Sequence, residues 1–140
     1  MAEADSVWAL VDLKTGGLER IDVCGYTFVD DEPLEIDIPQ RFRMPKEISD
    51  ELKPVGERTI VYSDIDYNLH MNNTKYPDML CDFIPFEKVG EIKGFLISYL
   101  GEAAIGDKVT VSRAFDSGVY YFKTHNQKGK SCIEAEVILN

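Results

Sequence analysis

The chain has 140 residues, of which 44% are apolar and 29% charged, and its formal net charge is −10. The apolar fraction excludes a fully disordered protein, and no apolar run reaches the roughly 18 residues that a membrane-spanning helix needs. The acidic balance argues against nucleic acid and against a membrane surface as partners, because both are bound through clustered lysine and arginine. The acidic start, MAEADSVWAL, lacks the basic and apolar regions of a secretory signal.

The three cysteines, Cys24, Cys81 and Cys132, are far apart, odd in number and form no CxxC pair. This usage predicts reduced, mostly buried thiols in a cytoplasmic protein rather than a disulfide framework. The sequence contains no metal-ligand spacing and no glycine-rich phosphate loop. We therefore expect neither a metal nor another cofactor.

The first part of the chain divides into a hairpin and a linker. Residues 4–22 alternate apolar and polar side chains around Thr15-Gly16-Gly17, which predicts a β-hairpin. In residues 30–57, four prolines and many acidic residues interrupt every pattern except one possible helical turn at Lys46–Leu52. We interpret this segment as an extended linker that packs across a surface.

From Arg58 onward, the pattern predicts a strand, one amphipathic helix and four further strands. The helix shows apolar residues at i, i+3, i+4 and i+7, at Tyr76, Met79, Leu80 and Phe83. Pro77 then lies in its first turn and Pro85 just beyond its end. The strands are expected at 58–62, 92–100, 108–115, 119–124 and 131–139. The 92–100 strand is apolar on both faces, which predicts a central position in the sheet.

These elements predict an α+β fold with an antiparallel sheet. One helix covers five strands only if the sheet curls around it, which is the hot-dog architecture. The alternative is an open sheet with the helix laid across it. We favour the hot-dog fold because curling buries both the helix stripe and the doubly apolar strand.

The segment Ser63–Asn73, SDIDYNLHMNN, concentrates the residues that could carry chemistry. Asp66 could act as a base or nucleophile, His70 could transfer protons, and Asn68 could donate to an oxyanion. If the segment is extended, the alternating spacing places these three side chains on one side. Unpaired N–H groups at the start of the following helix could also bind an oxyanion. Asx-rich stretches are also common in turns and as helix caps, so the residues alone do not decide between a catalytic and a structural role.

The string from Arg58 to Tyr76 resembles the second hot-dog domain of the acyl-acyl-carrier-protein thioesterases of bacteria and plants. Two further stretches are similar to that family: Tyr99-Leu100-Gly101-Glu102 followed by Gly106-Asp107, and Ser6–Thr15, which resembles the closing strands of the first hot-dog domain. The resemblance implies three parts, namely a remnant hairpin of a first hot-dog domain (1–22), a proline-rich linker (23–57) and a hot-dog thioesterase domain (58–140).

The resemblance implies hydrolysis of fatty acyl thioesters on acyl-carrier protein, releasing free fatty acid in fatty acid biosynthesis. By position, Asp66, Asn68 and His70 match the catalytic residues of the family, and Glu102 matches their carboxylate partner. Asp66 then activates water or attacks the carbonyl, His70 holds or relays the proton, Asn68 steadies Asp66 or the oxyanion, and Glu102 positions the water or His70. The neighbouring positions carried over as substrate-binding are Asn72, Asn73 and Tyr76. Plant members carry a cysteine directly after the equivalent of Glu102, and Ala103 excludes a cysteine nucleophile there.

Two other functions compete with this one. The motif reports the chemistry and not the carrier, so an acyl-CoA thioesterase is the second reading. The third is a truncated, catalytically weak module that binds acyl chains or a partner. A sheet edge left free by a missing tandem partner predicts a homodimer, through sheet or helix packing. Lys123, Lys128 and Lys130 form either a solvated hairpin tip or a docking patch for the acidic carrier protein.

Overall fold

A computed structural model describes residues 4, 6–12, 14–20 and 42–140. The chain forms two compact units, residues 1–40 and 41–140. In the first unit, strand β1 (Leu10–Val11) pairs antiparallel with β2 (Leu18–Glu19), which confirms the predicted hairpin. Cys24 and residues 23–41 of the predicted linker lie outside the described residues.

The second unit contains one five-stranded antiparallel sheet in the order β3-β5-β6-β7-β4. Its strands are β3 (Lys53–Thr59), β4 (Ile92–Tyr99), β5 (Lys108–Asp116), β6 (Val119–Asn126) and β7 (Ser131–Leu139). Its helices are α1 (Lys46–Glu51), α2 (Lys75–Cys81) and α3 (Phe86–Val89), with a 3-10 turn at Tyr62–Asp64. Among the described residues, no helix is long and apolar enough to cross a membrane.

Helix α2 lies in the concave side of the sheet and buries the predicted apolar stripe. Tyr76, Met79 and Leu80 are buried, and Phe83 packs against the same core just beyond the helix end. They share one cluster with inward-facing residues of β5, β6 and β7, among them Val109, Val111, Phe122, Ile133, Ala135 and Val137. Burial of a side chain of this size stabilises the fold by about 1.5–3 kcal/mol. The α+β hot-dog architecture is confirmed.

The two tight turns of the β5-β6-β7 meander also agree with the sequence. Ser117 and Gly118 both have positive φ, 48° and 82°, which is the backbone of the two-residue hairpin turn predicted there. At the second turn, the Asn126 carboxamide oxygen accepts the N–H groups of Lys128 and Lys130 at 3.0 and 3.1 Å. These turns fix the register that directs alternate residues of β7 into the core.

Two strands differ from their predicted placement. Strand β3 begins at Lys53 and ends at Thr59, earlier than the predicted run 58–62, because Pro54 and Gly56 interrupt its pattern near a register shift. Proline is tolerated there because β3 is an edge strand. The prediction that the 92–100 strand is central is wrong, since β4 pairs with β7 alone within the described sheet.

The segment before β3 explains why an edge strand is apolar on both faces. Ser98 Oγ on β4 donates to the Phe42 carbonyl at 3.1 Å, and the Met44 N–H donates to Glu134 Oε2 on β7 at 3.3 Å. Met44 is buried, and α1 then contacts β5. Residues 42–52 therefore cross the outer face of the sheet, as predicted for the linker, whereas residues 53–57 of the predicted linker belong to β3. This crossing covers β4 on the side away from the core.

Candidate active site

The chemistry-bearing segment folds as a tight turn. The Asp66 N–H donates to the His70 carbonyl at 3.0 Å, and the Leu69 N–H donates to the Asp66 carbonyl at 3.1 Å. Because the backbone reverses direction between Asp66 and His70, the one-sided alternation expected of an extended segment does not apply. The turn instead brings these two residues together as backbone hydrogen-bond partners, and it leaves Asn68 exposed at its tip.

The Asp66 carboxylate is oriented by the turn itself. Its Oδ1 accepts the Asn68 backbone N–H at 2.8 Å, an Asx turn of the kind that aspartate forms two residues before its donor. This bond leaves Oδ2 for a water molecule or a reacting carbonyl. The connection between Asn68 and Asp66 therefore runs through the main chain.

The second motif is joined to this turn by backbone pairing. His70 and Ala104 form an isolated antiparallel bridge, and the Ile105 N–H donates to the Leu69 carbonyl at 3.1 Å. Glu102 lies two residues before Ala104, so the pairing carries its side chain to His70. The two motifs are thus neighbours in space although His70 and Glu102 are 32 positions apart in the sequence.

His70 Nδ1 lies 3.5 Å from Glu102 Oε2. That separation is ion-pair distance and longer than a strong hydrogen bond, and such contacts often tighten only when substrate is bound. The side chains are 36% and 71% exposed, so both are accessible from solvent. A carboxylate at Nδ1 favours the proton on that nitrogen and leaves Nε2 as the atom that can accept or return a proton.

Behind the turn, Arg58 on β3 forms two ion pairs. Its guanidinium lies 2.6 Å from Asp64 Oδ1 and 3.0 Å from Asp82 Oδ2, and Asp64 Oδ2 also accepts the Val61 N–H at 3.0 Å. Burial raises the pKa of the Asp64 carboxyl, but the Val61 N–H and the Arg58 guanidinium outweigh this and hold its pKa below the ordinary value. Asp64 is thus a buried structural anion that ties the turn to β3.

The backbone N–H groups at the start of α2 have acceptors nearby in the chain. Asn72 Oδ1 accepts the Thr74 N–H at 3.0 Å, and the carbonyls of Asn72 and Asn73 accept the N–H groups of Lys75 and Tyr76. Since the next residue is a proline, every N–H of this first turn has an acceptor in the part of the chain that the structure describes. The expectation that unpaired donors here could bind an oxyanion is therefore wrong, because the backbone carbonyls of the two asparagines accept them.

Tyr76 belongs to the core, with 2% of its surface exposed. Its ring meets Tyr99 edge-on, with centroids 5.6 Å apart, and the Tyr99 hydroxyl donates to the Asn73 carbonyl at 3.0 Å. Tyr99 thereby fixes the end of β4 against the start of α2. Of the three positions carried over as substrate-binding, only Asn73 is exposed, while Asn72 is half-buried.

A surface pocket of about 350 Å³ opens beside the turn. It is lined by Tyr62, Ile65, Asp66, Tyr67 and Leu69. Tyr62 and Tyr67 are 84% and 92% exposed, an unusual arrangement for neighbouring aromatic side chains. The pocket therefore combines one carboxylate with a largely apolar wall.

Sequence reasoning gave no function to Arg58, Asp64, Tyr99 and Leu69. The first three stood inside the quoted motifs, so their position was a signal, but their partners became visible only in three dimensions. Leu69 carried no signal, because its importance comes from a backbone angle. Within the described ranges, no group of three His, Cys, Asp or Glu side chains is placed to hold a metal ion.

Comparison with known proteins bears on this geometry. Residues 49–138 match the family model described as the acyl-ACP thioesterase C-terminal domain, where ACP is acyl-carrier protein. The chain belongs to this family. The match includes every residue of the His70–Glu102 arrangement and all of the sheet except the last residue of β7.

Individual relatives share 29% sequence identity or less with the chain. The chain is 29% identical over 110 residues to the chloroplastic acyl-[acyl-carrier-protein] hydrolase FATB3 of Cuphea viscosissima, covering 73% of this chain and 26% of that protein. A crystal structure of an acyl-ACP thioesterase from Bacteroides thetaiotaomicron superposes with a TM-score of 0.73 at 23% identity, over 93% of this chain and 53% of that one. A hypothetical protein from Staphylococcus aureus, solved with CoA, gives 0.54 at 20% identity, over 61% and 72% of the two chains.

The chain is much shorter than the relatives that carry the family name. It spans about a quarter of the Cuphea hydrolase and about half of the Bacteroides structure. The likeness to these structures establishes the fold.

Proposed function

We propose that the chain hydrolyses fatty acyl thioesters of acyl-carrier protein, releasing free fatty acid. The observation that carries the proposal is the approach of His70 Nδ1 to Glu102 Oε2 at 3.5 Å, in a turn that also presents Asp66 to an apolar pocket. Membership of the acyl-ACP thioesterase C-terminal domain family supports it. The acyl chain lies against the pocket wall in this proposal, and the thioester carbonyl lies next to Asp66.

In the proposed reaction, a water oxygen forms a bond to the thioester carbonyl carbon and the carbon–sulfur bond breaks. His70 takes the proton from the water at Nε2, either directly or by way of Asp66, and passes the same proton to the departing sulfur. Glu102 orients His70 through its contact with Nδ1. Asn68 steadies Asp66 through its backbone N–H. Alternatively, the Asp66 carboxylate itself attacks the carbonyl carbon, and water then cleaves the resulting anhydride. This route uses the same residues, with His70 again held by Glu102 and Asp66 by the Asn68 N–H.

The positions at the start of α2 divide into one that contacts substrate and two that act indirectly. Asn73 is exposed, so we assign it to the substrate. Asn72 and Tyr76 hold its backbone in place, the first as a cap and the second by packing on Tyr99. This division follows from their exposure and contacts.

Two lysines on the turn between β6 and β7 support acyl-carrier protein as the carrier. The Lys130 stem lies over Gly101, the residue before Glu102, since a Cβ on Gly101 would be only 3.0 Å from Lys130 Cε. Lys128 is exposed on the same turn, whereas Lys123 is neutralised by Glu134 at 2.9 Å. An acidic carrier docking on a chain of net charge −10 needs such a local positive site. The S. aureus neighbour holds CoA, which keeps acyl-CoA as the second candidate.

Parallel assays with dodecanoyl-ACP and dodecanoyl-CoA test this function. We expect kcat/KM for the ACP thioester to exceed that for the CoA thioester by about ten-fold at low salt, and salt to reduce this ratio because it screens the lysine contacts. The double substitution Lys128→Ala, Lys130→Ala should lower the ratio, while the matched Lys53→Ala, Lys93→Ala should not. Hydrolysis of neither thioester would leave the third reading, a binding module without turnover.

We also propose that residues 1–22 are the end of a first hot-dog domain, that 23–57 link it, and that 58–140 are the thioesterase domain. The extent of the Bacteroides match supports this division. Within the described residues, β4 pairs with β7 alone, and the other side of such an edge strand offers backbone N–H and C=O groups to a partner strand. We assign that place to β4 of a second copy, so that two sheets join in a homodimer. Cytoplasm stays our prediction for the compartment, although the Cuphea relative is chloroplastic by name.

Light scattering at micromolar concentration is expected to give twice the 15.9 kDa mass of the chain. Phe95 on β4 is partly exposed, so Phe95→Lys should place a charge at the joint and shift the mass toward the monomer. Phe86→Lys is the matched control, because Phe86 is 91% exposed on α3. A monomeric wild-type chain contradicts the homodimer.

A further inference from the structure

Leu69 occupies a backbone conformation that leucine rarely adopts. Its φ is 64°, in the left-handed region, where a Cβ crowds the neighbouring carbonyl and glycine or asparagine is the usual choice. Its side chain is also 57% exposed, so no core packing compensates for this conformation. A leucine at this position therefore carries the cost of the left-handed backbone without an evident structural return.

The left-handed conformation does not depend on the leucine side chain. The Leu69 N–H donates to the Asp66 carbonyl, and the Leu69 carbonyl accepts the Ile105 N–H, both at 3.1 Å. Both bonds use main-chain atoms that every residue except proline supplies. Asparagine would keep them and would fit the backbone better, so the fold alone does not explain a leucine here.

The Leu69 side chain lines the pocket beside Asp66. Leu69 forms its wall together with Tyr62, Ile65 and Tyr67, and Asp66 supplies the polar group. The volume of about 350 Å³ lies in the range of small-molecule sites, which are mostly apolar with a few placed polar groups. Unfavourable backbone conformations persist where function requires them.

We infer that Leu69 is a specificity-determining residue, whose side chain contacts the acyl chain beyond the carbons nearest the thioester carbonyl while Asp66 faces that carbonyl. This inference rests on the proposed hydrolysis and adds to it the surface that reads the acyl chain. It assigns the leucine to substrate binding rather than to the fold. Substrates too short to reach the wall gain nothing from it.

The test compares Leu69→Asn with Leu69→Met. The asparagine variant removes the apolar contact and relieves the backbone, whereas methionine keeps both the contact and the conformational cost. We expect Leu69→Asn to lower kcat/KM for a dodecanoyl thioester about ten-fold, the size expected for a lost hydrophobic pocket contact, and for a butyryl thioester less than two-fold. Its thermal midpoint should equal or exceed that of the wild type. Leu69→Met should match the wild type in all three measurements, as should Leu18→Asn, which removes an exposed leucine from β2.

Binding of S-dodecyl-pantetheine, a thioether that cannot be hydrolysed, separates this inference from the proposed function. If the wild type hydrolyses no thioester but binds this probe, and Leu69→Asn weakens the binding about ten-fold, the inference stands and the function fails. An unchanged ratio of dodecanoyl to butyryl hydrolysis, or equal probe binding by both proteins, overturns the inference. Absence of probe binding by the wild type also overturns it. A lower thermal midpoint in Leu69→Asn would assign the side chain to folding, and a changed mass of Leu69→Asn in light scattering would assign it to a protein interface; either result overturns the inference.

Discussion

Replacing Asp66 by asparagine is expected to lower kcat for acyl thioester hydrolysis by about 10²–10⁴-fold, the usual contribution of a positioned general base. Asparagine is close to aspartate in shape, and its Oδ1 can still accept the Asn68 N–H that orients the carboxylate at 2.8 Å. The turn should therefore survive while the basic group is lost. Steady-state kinetics with a saturating acyl-ACP substrate, together with circular dichroism, measure the two effects separately.

His70→Ala should produce a loss of similar size, because the proton route through Nε2 disappears. Glu102→Gln should lose less, about ten-fold, since it orients His70 without touching the reacting carbonyl. The chain offers a matched control in its other histidine: His125 lies on β6, paired with Ser131 and Thr110, and His125→Ala should keep wild-type turnover. Wild-type kcat in Asp66→Asn or in His70→Ala would exclude the substituted residue from the mechanism.

The largest expected effect on stability comes from Asp64, which is not part of the proposed chemistry. Its side chain is 3% exposed and accepts hydrogen bonds from the Arg58 guanidinium and the Val61 N–H. Hydrogen bonds to a buried charged group contribute about 1.5–3 kcal/mol, so Asp64→Asn should lower the free energy of unfolding by about 2 kcal/mol at pH 7. Urea unfolding followed by circular dichroism measures this difference.

The pH dependence of the same variant has a definite sign. The folded-state pKa of Asp64 is below its ordinary value, so the carboxylate stabilises the fold above about pH 4, where the unfolded carboxyl is ionised. That contribution is lost as pH falls through the folded pKa. The wild-type and Asp64→Asn stabilities should therefore converge as the pH falls below the folded-state pKa of Asp64.

Asp82 provides a control on the same guanidinium. Its carboxylate lies 3.0 Å from Arg58, but its side chain is 62% exposed. Exposed pairs contribute about 0–1 kcal/mol, so Asp82→Asn should change stability by less than half as much as Asp64→Asn. Equal effects from the two variants would mean that burial does not set the strength of the Asp64 contact.

Periodicity predicted those elements whose pattern is set by the core they face. The stripe of α2 and the alternation of β7 both follow from contact with one apolar interior, so the helix, the meander and the hot-dog class were accessible. The edge strands were not. Pro54 and Gly56 obscured β3, and β4 looked central because residues 42–45 cover its outer face. A single sequence does not distinguish burial beneath a neighbouring segment from burial between two layers.

The candidate site was predictable as a set of residues and not as a geometry. The motif named Asp66, Asn68, His70 and Glu102, and backbone pairing brings His70 to Glu102. What no spacing rule gave is the turn, which depends on the φ of Leu69 and on bonds from Ile105, 36 positions away. The roles of the three residues at the start of α2 also needed three dimensions, because capping and packing are invisible in the string NN-x-x-Y.

The sheet order β3-β5-β6-β7-β4 has a consequence for how the molecule acquires its site. Strands β5, β6 and β7 are consecutive hairpins, so their pairing closes only short loops. Strand β3 must wait for partners 49 to 60 positions later in the sequence, and β4 for partners 34 to 47 positions later. Loop-closure entropy therefore favours a meander that forms first and edges that dock last. The turn at Asp66 and the loop at Glu102 connect to those late edges. The same segments are then the first to open in local unfolding, so His70 and Glu102 come together at the end of folding and separate before the sheet itself is lost.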